Sequence, residues 1–306
     1  MKHLLIRAAL LAAPFVLIAA LVALVDPFDY FRASPLIDDT IKLDTARDLQ
    51  YPLWKLQRYR HAPVSRLILG DSSMASLDEG EIREVSGVQY FNFAYGSGTV
   101  AEAIETYWLA SSMTHLDAVY IGIGLVNFNG YQHLDRVTEA DAISKNPLLY
   151  LSNRLVVRAA FLAAYAALTG SHPELPDEHM TRDEVWRVQL DQGLPEFLAR
   201  YQFPKEAAAG LQRVAEDCKR HGTRFVIVIP PTNLELQRKI YALGRGADFE
   251  RMKAFVATLG TVYDFDYPNE FTANRDNFGD PFHTLNDHEV IAEVWGGRLR
   301  YARLLK

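Results

Sequence analysis

Three short segments carry residue types that together can break or move an acyl bond. The first is Gly70-Asp71-Ser72-Ser73, which directly follows the apolar run Leu67-Ile68-Leu69. A short apolar run stopped by glycine is expected to be a buried strand, and a serine just past it projects from the edge where open α/β folds bind ligands. Its hydroxyl is a weak nucleophile until a base takes the proton. The second segment, Asp280-Pro281-Phe282-His283, supplies such a base. A spacing of three on a loop lets the carboxylate reach imidazole Nδ1, fix the tautomer and leave Nε2 free to accept a proton. The third, Asn92-Phe93-Ala94-Tyr95-Gly96-Ser97-Gly98-Thr99, brings two glycines to a helix start. Amides and dipole favour an anion there, as a developing oxyanion requires. Taken singly, each segment also reads as ordinary structure: a strand-end turn, a surface loop before a helix, and a glycine turn.

The elements that must position these segments are an alternation of strands and helices. Besides Leu67–Leu69, strands are expected at Ala118–Ile123, Arg224–Ile229 and, more weakly, Thr261–Phe265. Thr99 and Glu102 form a capping box opening a helix to about Met113. Lys205–Arg220 carries Leu211, Val214 and Cys218 on one stripe before a basic stop and Gly222. Asn286 with Glu289 is expected to cap a last helix containing Ile291, Val294 and Trp295. Trp108 and Trp295 fall on helical stripes and are expected in the core. Cys218 reads as a small buried hydrophobe. Units of roughly 30–50 residues of this kind predict an α/β fold with a mostly parallel sheet covered on both faces. Pro230-Pro231-Thr232-Asn233 ends the third strand, and reads as a plain loop or as a wall of the same cleft as Ser72.

Residues 135–200 interrupt the alternation. Leu155–Leu168 is nearly all apolar, broken by Arg158. It reads as part of an inserted helical pair covering a core edge, with a membrane-lying helix or an active-site lid as the alternative. The following polar stretch has Pro173, Pro176 and six acidic residues between Glu174 and Asp191. Within it, His172 and His179 beside Glu174 and Asp177 read as a solvated loop. His283 and His288 with Asp280 straddle a helix start, which is poor spacing for a metal pair, and no metal or cofactor is expected.

The N-terminus departs from the rest. Lys2 and Arg7 precede an uncharged run, Ala8–Val25, followed by Asp26 and Asp29. Eighteen helical residues span about 27 Å, close to a bilayer core of about 30 Å. The run exceeds the usual ~7–15-residue core of a signal peptide, and no good cleavage site follows. An uncleaved single-pass anchor is therefore expected over residues 1–25, with Pro14 tolerated inside it. Positive charge on the short side places everything beyond Asp26 outside the cytoplasm. Residues 26–63 form a connector whose rings (Phe28, Tyr30, Phe31, Tyr51, Trp54, Tyr59) suit a membrane interface or a packed neck. That leaves about 240 residues, 64–306, for one domain with its insertion. A mean hydropathy near zero excludes a polytopic membrane protein. A net charge of −6 argues against a nucleic-acid binder. One cysteine excludes an intrachain disulfide or a zinc site of several thiolates, and suits an oxidising compartment.

In that order along the chain (serine early, glycine loop next, Asp-x-x-His last), the three segments resemble the SGNH, or GDSL-type, hydrolase superfamily over roughly residues 64–306. The resemblance implies a three-layer α/β/α flavodoxin-like domain with Ser72 as nucleophile, His283 as base and Asp280 as its orienter. It implies an oxyanion hole from the Ser72 amide and one of Gly96 and Gly98, although the usual family spacing falls on Ser97. One block departs from the pattern: where the family has G-x-N-D, this chain has Gly122-Ile123-Gly124-Leu125-Val126-Asn127-Phe128-Asn129. Either Asn127 bends back into the site or that donor is missing. With an N-terminal anchor, the chain is similar to membrane-anchored envelope proteins of alginate O-acetylation and teichoic acid D-alanyl transfer. That implies serine-dependent acyl transfer, acetyl foremost, to or from a cell-envelope polysaccharide or related polymer. The domain would lie on the periplasmic side of the bacterial inner membrane, served by a membrane partner that delivers the acyl group. An esterase or lipase acting on small substrates, and an inactive scaffold binding polymer or proteins, are the alternatives.

Overall fold

The computed structural model describes residues 1–32, 36–132, 134–170 and 180–305. The stretch holding His172, Pro173, Glu174, Pro176, Asp177 and His179 lies outside them. The chain divides into two compact units, residues 1–62 with 136–178, and residues 63–135 with 179–306.

The second unit is built on a six-stranded sheet: β1 (Arg66–Leu69), β2 (Phe91–Asn92), β3 (Ala118–Gly122), β4 (Arg224–Ile229), β5 (Thr261–Asp264) and β6 (Arg303–Leu305). Its order is β2-β1-β3-β4-β5-β6, parallel except for β6, which runs antiparallel to β5. This is the flavodoxin-like order of a doubly wound sheet with one added edge strand. Both faces are buried, so the central strands are apolar at successive positions rather than alternating. One face (Ile68, Tyr120, Val226 and Val228) packs with Ile82, Val290, Ile291 and Val294 from the helices Glu79–Ser86 and Asp287–Val294. On helices contacting β1 and β4, Val100–Ser111 packs against Lys205–His221.

Several expected local features are present as hydrogen bonds. Thr99 and Glu102 make both halves of the capping box, with the Glu102 amide donating to Thr99 Oγ1 at 3.2 Å. Cys218 is fully buried; its Sγ donates to Tyr107 Oη at 3.5 Å, and burial foremost pushes its pKa up to about 11. Two expectations are corrected. Asn286 does not cap the last helix; its Nδ2 donates to Asn277 Oδ1 at 2.7 Å, tying the helix start to the loop before it. Trp108 is 39% exposed, because the buried line of its helix runs through Ala103, Tyr107 and Ala110 and leaves Trp108 just beyond it. Trp295 does pack inward, stacked on Tyr120 with ring centroids 4.8 Å apart.

The first unit joins the N-terminal helix Lys2–Val25 to Asp39–Ala46, Tyr51–His61, Arg136–Lys145, Pro147–Ser152 and Arg154–Thr169. The connector and the first part of the inserted stretch thus pack as one body. Arg60 Nη1 donates to the Ser144 carbonyl at 2.8 Å, and buried Lys42 pairs with Asp29 at 2.5 Å. Phe28, Trp54 and Tyr59 are buried in this body, whereas Phe31 is exposed.

Candidate active site

Ser72 sits where the strand order reverses: β1 ends beside β3, and the chain leaves them toward opposite edges of the sheet. Crevices at such carboxyl ends are the binding places of open α/β sheets. Gly70 has φ of +143°, and a Cβ there would lie 2.8 Å from Met74 Cγ and 3.2 Å from the Gly122 backbone. Gly122 is equally constrained, since a Cβ would fall 2.1 Å from Met74 Cγ. The two glycines thus let Met74 fill the core beneath the turn while Ser72 opens a short helix, Ser72–Ala75, capped by Asp71 Oδ1 accepting from the Ser73 amide at 3.0 Å. At the first helical position, the Ser72 N–H is one of the orphan donors every helix start leaves, and it has no partner among the described residues.

His283 meets it from the other end of the sequence. Ser72 Oγ is 2.7 Å from His283 Nε2, and His283 Nδ1 is 2.9 and 2.8 Å from the two Asp280 oxygens. Asp280 is locked in place by the Phe282 and His283 amides, at 2.8 and 3.0 Å from its Oδ1. The loop itself is closed by the Gly279 amide on the His283 carbonyl and held by the Asn233 amide on the Pro281 carbonyl, both 2.9 Å. With the proton on Nδ1 facing the carboxylate, Nε2 is the acceptor for the serine hydroxyl.

The charges around the imidazole set its proton affinity. Burial pulls the His283 pKa down but is outweighed by the Asp280 hydrogen bond and charge, with Asp71 and Asp287 adding to it, so the net shift is upward. Burial pushes Asp280 up, but its bonds to His283 and the loop amides hold it net below the usual carboxylate range. Asp71 is raised, chiefly by burial, against the Ser73 amide and the His283 charge. The neutral imidazole needed as base therefore becomes the major form at a higher pH than for an ordinary histidine. Removing the Asp71 charge removes one stabiliser of the imidazolium. Asp71→Asn is expected to move the acid limb of the kcat/KM–pH profile to lower pH, and an unmoved limb would show that this carboxylate does not reach the base.

The expected oxyanion residues separate. Gly98 lines the cavity, and a Cβ there would lie 2.7 Å from the Gly70 carbonyl, but its amide donates to the Tyr95 carbonyl at 2.9 Å. Ser97 lines the cavity in a left-handed conformation, φ +53°. Gly96 does not line it and has open space where a Cβ would be. Asn127 does bend back to the site, yet its Nδ2 donates to Asp71 Oδ2 at 2.8 Å and to the Gly122 carbonyl at 3.3 Å. Its side chain thus orients Asp71. Asn129 serves elsewhere, accepting from the Tyr131 and Gln202 amides at 3.1 Å.

A cavity of about 670 Å³ opens over Ser72 and His283. Its walls include Val126, Leu134, Phe197 and Phe282, with Gln132 and Gln189 as polar points. Gln189 and Gly193 bound a π-helical turn, Gln189–Gly193, in the second half of the inserted stretch. Pro230 and Thr232 border an adjoining cavity of about 40 Å³, which shares Asp71, Ser73, Val126 and Phe282 with the larger one and also touches Asp266. Burial chiefly pushes Asp266 up to about 6. Among the described residues, no three His, Cys, Asp or Glu side chains come together as a cation site would require.

No protein-family model and no curated protein matches the chain. Solved structures similar to it include a proposed platelet activating factor from Streptococcus pneumonia, 12% identical, covering 82% of this chain and 91% of that one with a TM-score of 0.40. A GDSL-like lipase from Bacteroides thetaiotaomicron is 13% identical over 78% of this chain and 93% of that one, TM-score 0.38. A proposed acylhydrolase from Bacteroides fragilis is 13% identical with the same coverages and a TM-score of 0.37.

Proposed function

We propose that this protein is a serine acyl-transfer enzyme whose catalytic unit works outside the cytoplasm, held at the membrane by its N-terminal helix. The observation that carries the reading is the unbroken relay from Ser72 Oγ through His283 to Asp280. As Ser72 Oγ attacks the carbonyl carbon of an acyl donor, its proton passes to Nε2 and the carbonyl oxygen becomes an oxyanion. The unpartnered Ser72 N–H at the helix start is the donor best placed for that charge. Collapse breaks the bond to the leaving alcohol, which takes the proton from Nε2, and the acyl group stays on Ser72. A second hydroxyl then gives its proton to Nε2 and attacks the acyl-serine carbonyl; collapse breaks the Ser72 Oγ–acyl bond, Oγ takes the proton back from Nε2, and the new ester or acid leaves the free enzyme. Asp280 remains ionised throughout and steadies the imidazolium.

The second hydroxyl is water in an esterase and a carbohydrate hydroxyl in a transferase. An envelope polysaccharide is the acceptor we favour. The helix Lys2–Val25 is long and apolar enough to cross a membrane, and Lys2 and Arg7 on its short side favour a cytoplasmic N-terminus. Cytosolic acyl-CoA does not reach the far side, so a membrane partner would hand the acyl group to Ser72. The reading is tested by giving the full-length protein an aryl acetate with and without an oligosaccharide acceptor. Acetylated sugar formed in competition with free acetate supports transfer. Acetate alone, at a rate unaffected by sugar, assigns the protein as an esterase. No release from either, with the fold intact, overturns the enzyme reading.

A further inference from the structure

The N-terminal helix is partly covered by protein, and the cover sits where lipid should be. Leu10, Leu11, Phe15, Val16 and Leu17 are each at least 63% exposed, whereas Val22 and Val25 are at most 4% exposed. Leu24, in the same turns, is 57% exposed, so protein covers one face of the helix end and leaves the other open. Crossing a bilayer core of about 30 Å takes about 20 helical residues, more than the turns before Val22 supply beyond Arg7. The helix therefore crosses a membrane only if its covered turns, up to Val25, lie within the bilayer as well. Whatever covers them must then lie at that depth.

The cover consists of the helices Pro147–Ser152 and Arg154–Thr169, both of which contact the N-terminal helix. Tyr150 fixes them to its end: its hydroxyl donates to Asp26 Oδ1 at 2.9 Å, accepts from the Phe28 amide at 3.2 Å, and its ring stacks on Tyr30 at 4.5 Å. The outward faces of this pair are apolar. Leu148 is 74% exposed, Phe161 52%, Tyr165 50% and Leu168 87%. Spacings of four and three put Phe161, Tyr165 and Leu168 on one line of the helix, which continues back through Arg158 and Arg154. No acidic residue occurs from Pro147 to Thr169. Aromatic and leucyl side chains beside arginines, without acids, match a phosphate-rich headgroup layer above acyl chains.

We infer that Pro147–Thr169 is a second membrane contact, a helical pair seated in the interface beside the anchor. Phe161, Tyr165 and Leu168 face the lipid chains, and Arg154 and Arg158 reach the phosphates. The inference rests on the anchor reading above, and one experiment separates the two. The full-length protein, with Cys218→Ala as background, is given single cysteines at exposed positions: Leu10→Cys on the anchor, Leu168→Cys on the pair and Lys219→Cys on the other unit. Each is labelled with an environment-sensitive fluorophore and reconstituted into phosphatidylethanolamine–phosphatidylglycerol vesicles containing chain-spin-labelled lipid. Loss of most emission at positions 10 and 168, with 219 unaffected, supports the inference. Quenching at 10 but not at 168 overturns it while keeping the anchor, and leaves the apolar face to a protein partner. No quenching at either overturns both.

Discussion

Ser72→Ala is expected to cut turnover of an activated ester by about 10⁴–10⁶-fold while leaving the thermal unfolding midpoint nearly unchanged. The size follows from the geometry. Ser72 Oγ is the hydroxyl 2.7 Å from Nε2, and no second nucleophile can take over a covalent route whose base is aimed at one atom. The side chain is only partly buried and its hydroxyl bonds outward to the loop of His283, so alanine removes chemistry and little packing. Ser73→Ala is the control: Ser73 lines the same cavity but caps no relay, and most of the activity should remain. Rates of the Ser72 variant within tenfold of wild type would refute the assignment.

Asp280→Asn is expected to cost about 10⁴-fold in kcat with the loop still in place. Asparagine keeps an acceptor for the Phe282 and His283 amides, so the turn that presents the imidazole survives. What changes is the partner of Nδ1. An amide donor facing it favours the proton on Nε2, where it points at Ser72 Oγ and cannot receive another. The substitution also removes the main group raising the His283 pKa. Loss of that charge lowers the pKa, so the neutral imidazole persists to lower pH. The residual activity should then show an acid limb displaced downward. A steep fall in rate without that displacement would point to a collapsed loop, which unfolding measurements would reveal.

The parts of this site that lie close together along the chain are legible in the sequence alone. The strand before Ser72 declared itself by three apolar residues and a glycine, and the Asp280–His283 spacing sufficed to expect the carboxylate on Nδ1. Of the longer parallel strands, β1, β3 and β4 are legible for the same reason, as short apolar runs, whereas β5 is the weaker signal because only one of its faces is fully buried. The two-residue β2 carries too few positions to form a pattern, and β6 at the edge pairs only with β5. Asp71 was in view as part of a turn, but its bearing on the imidazole depends on two loops separated by some two hundred residues meeting at one sheet edge. Phe197 and Phe282 had no periodic signal linking them to Ser72. The glycine at position 124 reads as a gap in a donor block, and Asn127 does return to the site, but its amide is spent on Asp71 and the Gly122 carbonyl, which only the folded loop reveals. The pairing of the connector with the helices after Arg136 was hidden too, because an apolar helix advertises burial without naming its partner.

The most direct test of the account is covalent. The full-length protein is exposed to a fluorophosphonate probe, and the adduct is located by intact-mass analysis and peptide mapping. The account predicts one adduct per chain, on Ser72, formed faster as pH rises through the raised His283 pKa and absent from Ser72→Ala. Equal labelling of the folded wild-type and Ser72→Ala proteins, or an adduct mapped to another residue, would contradict it.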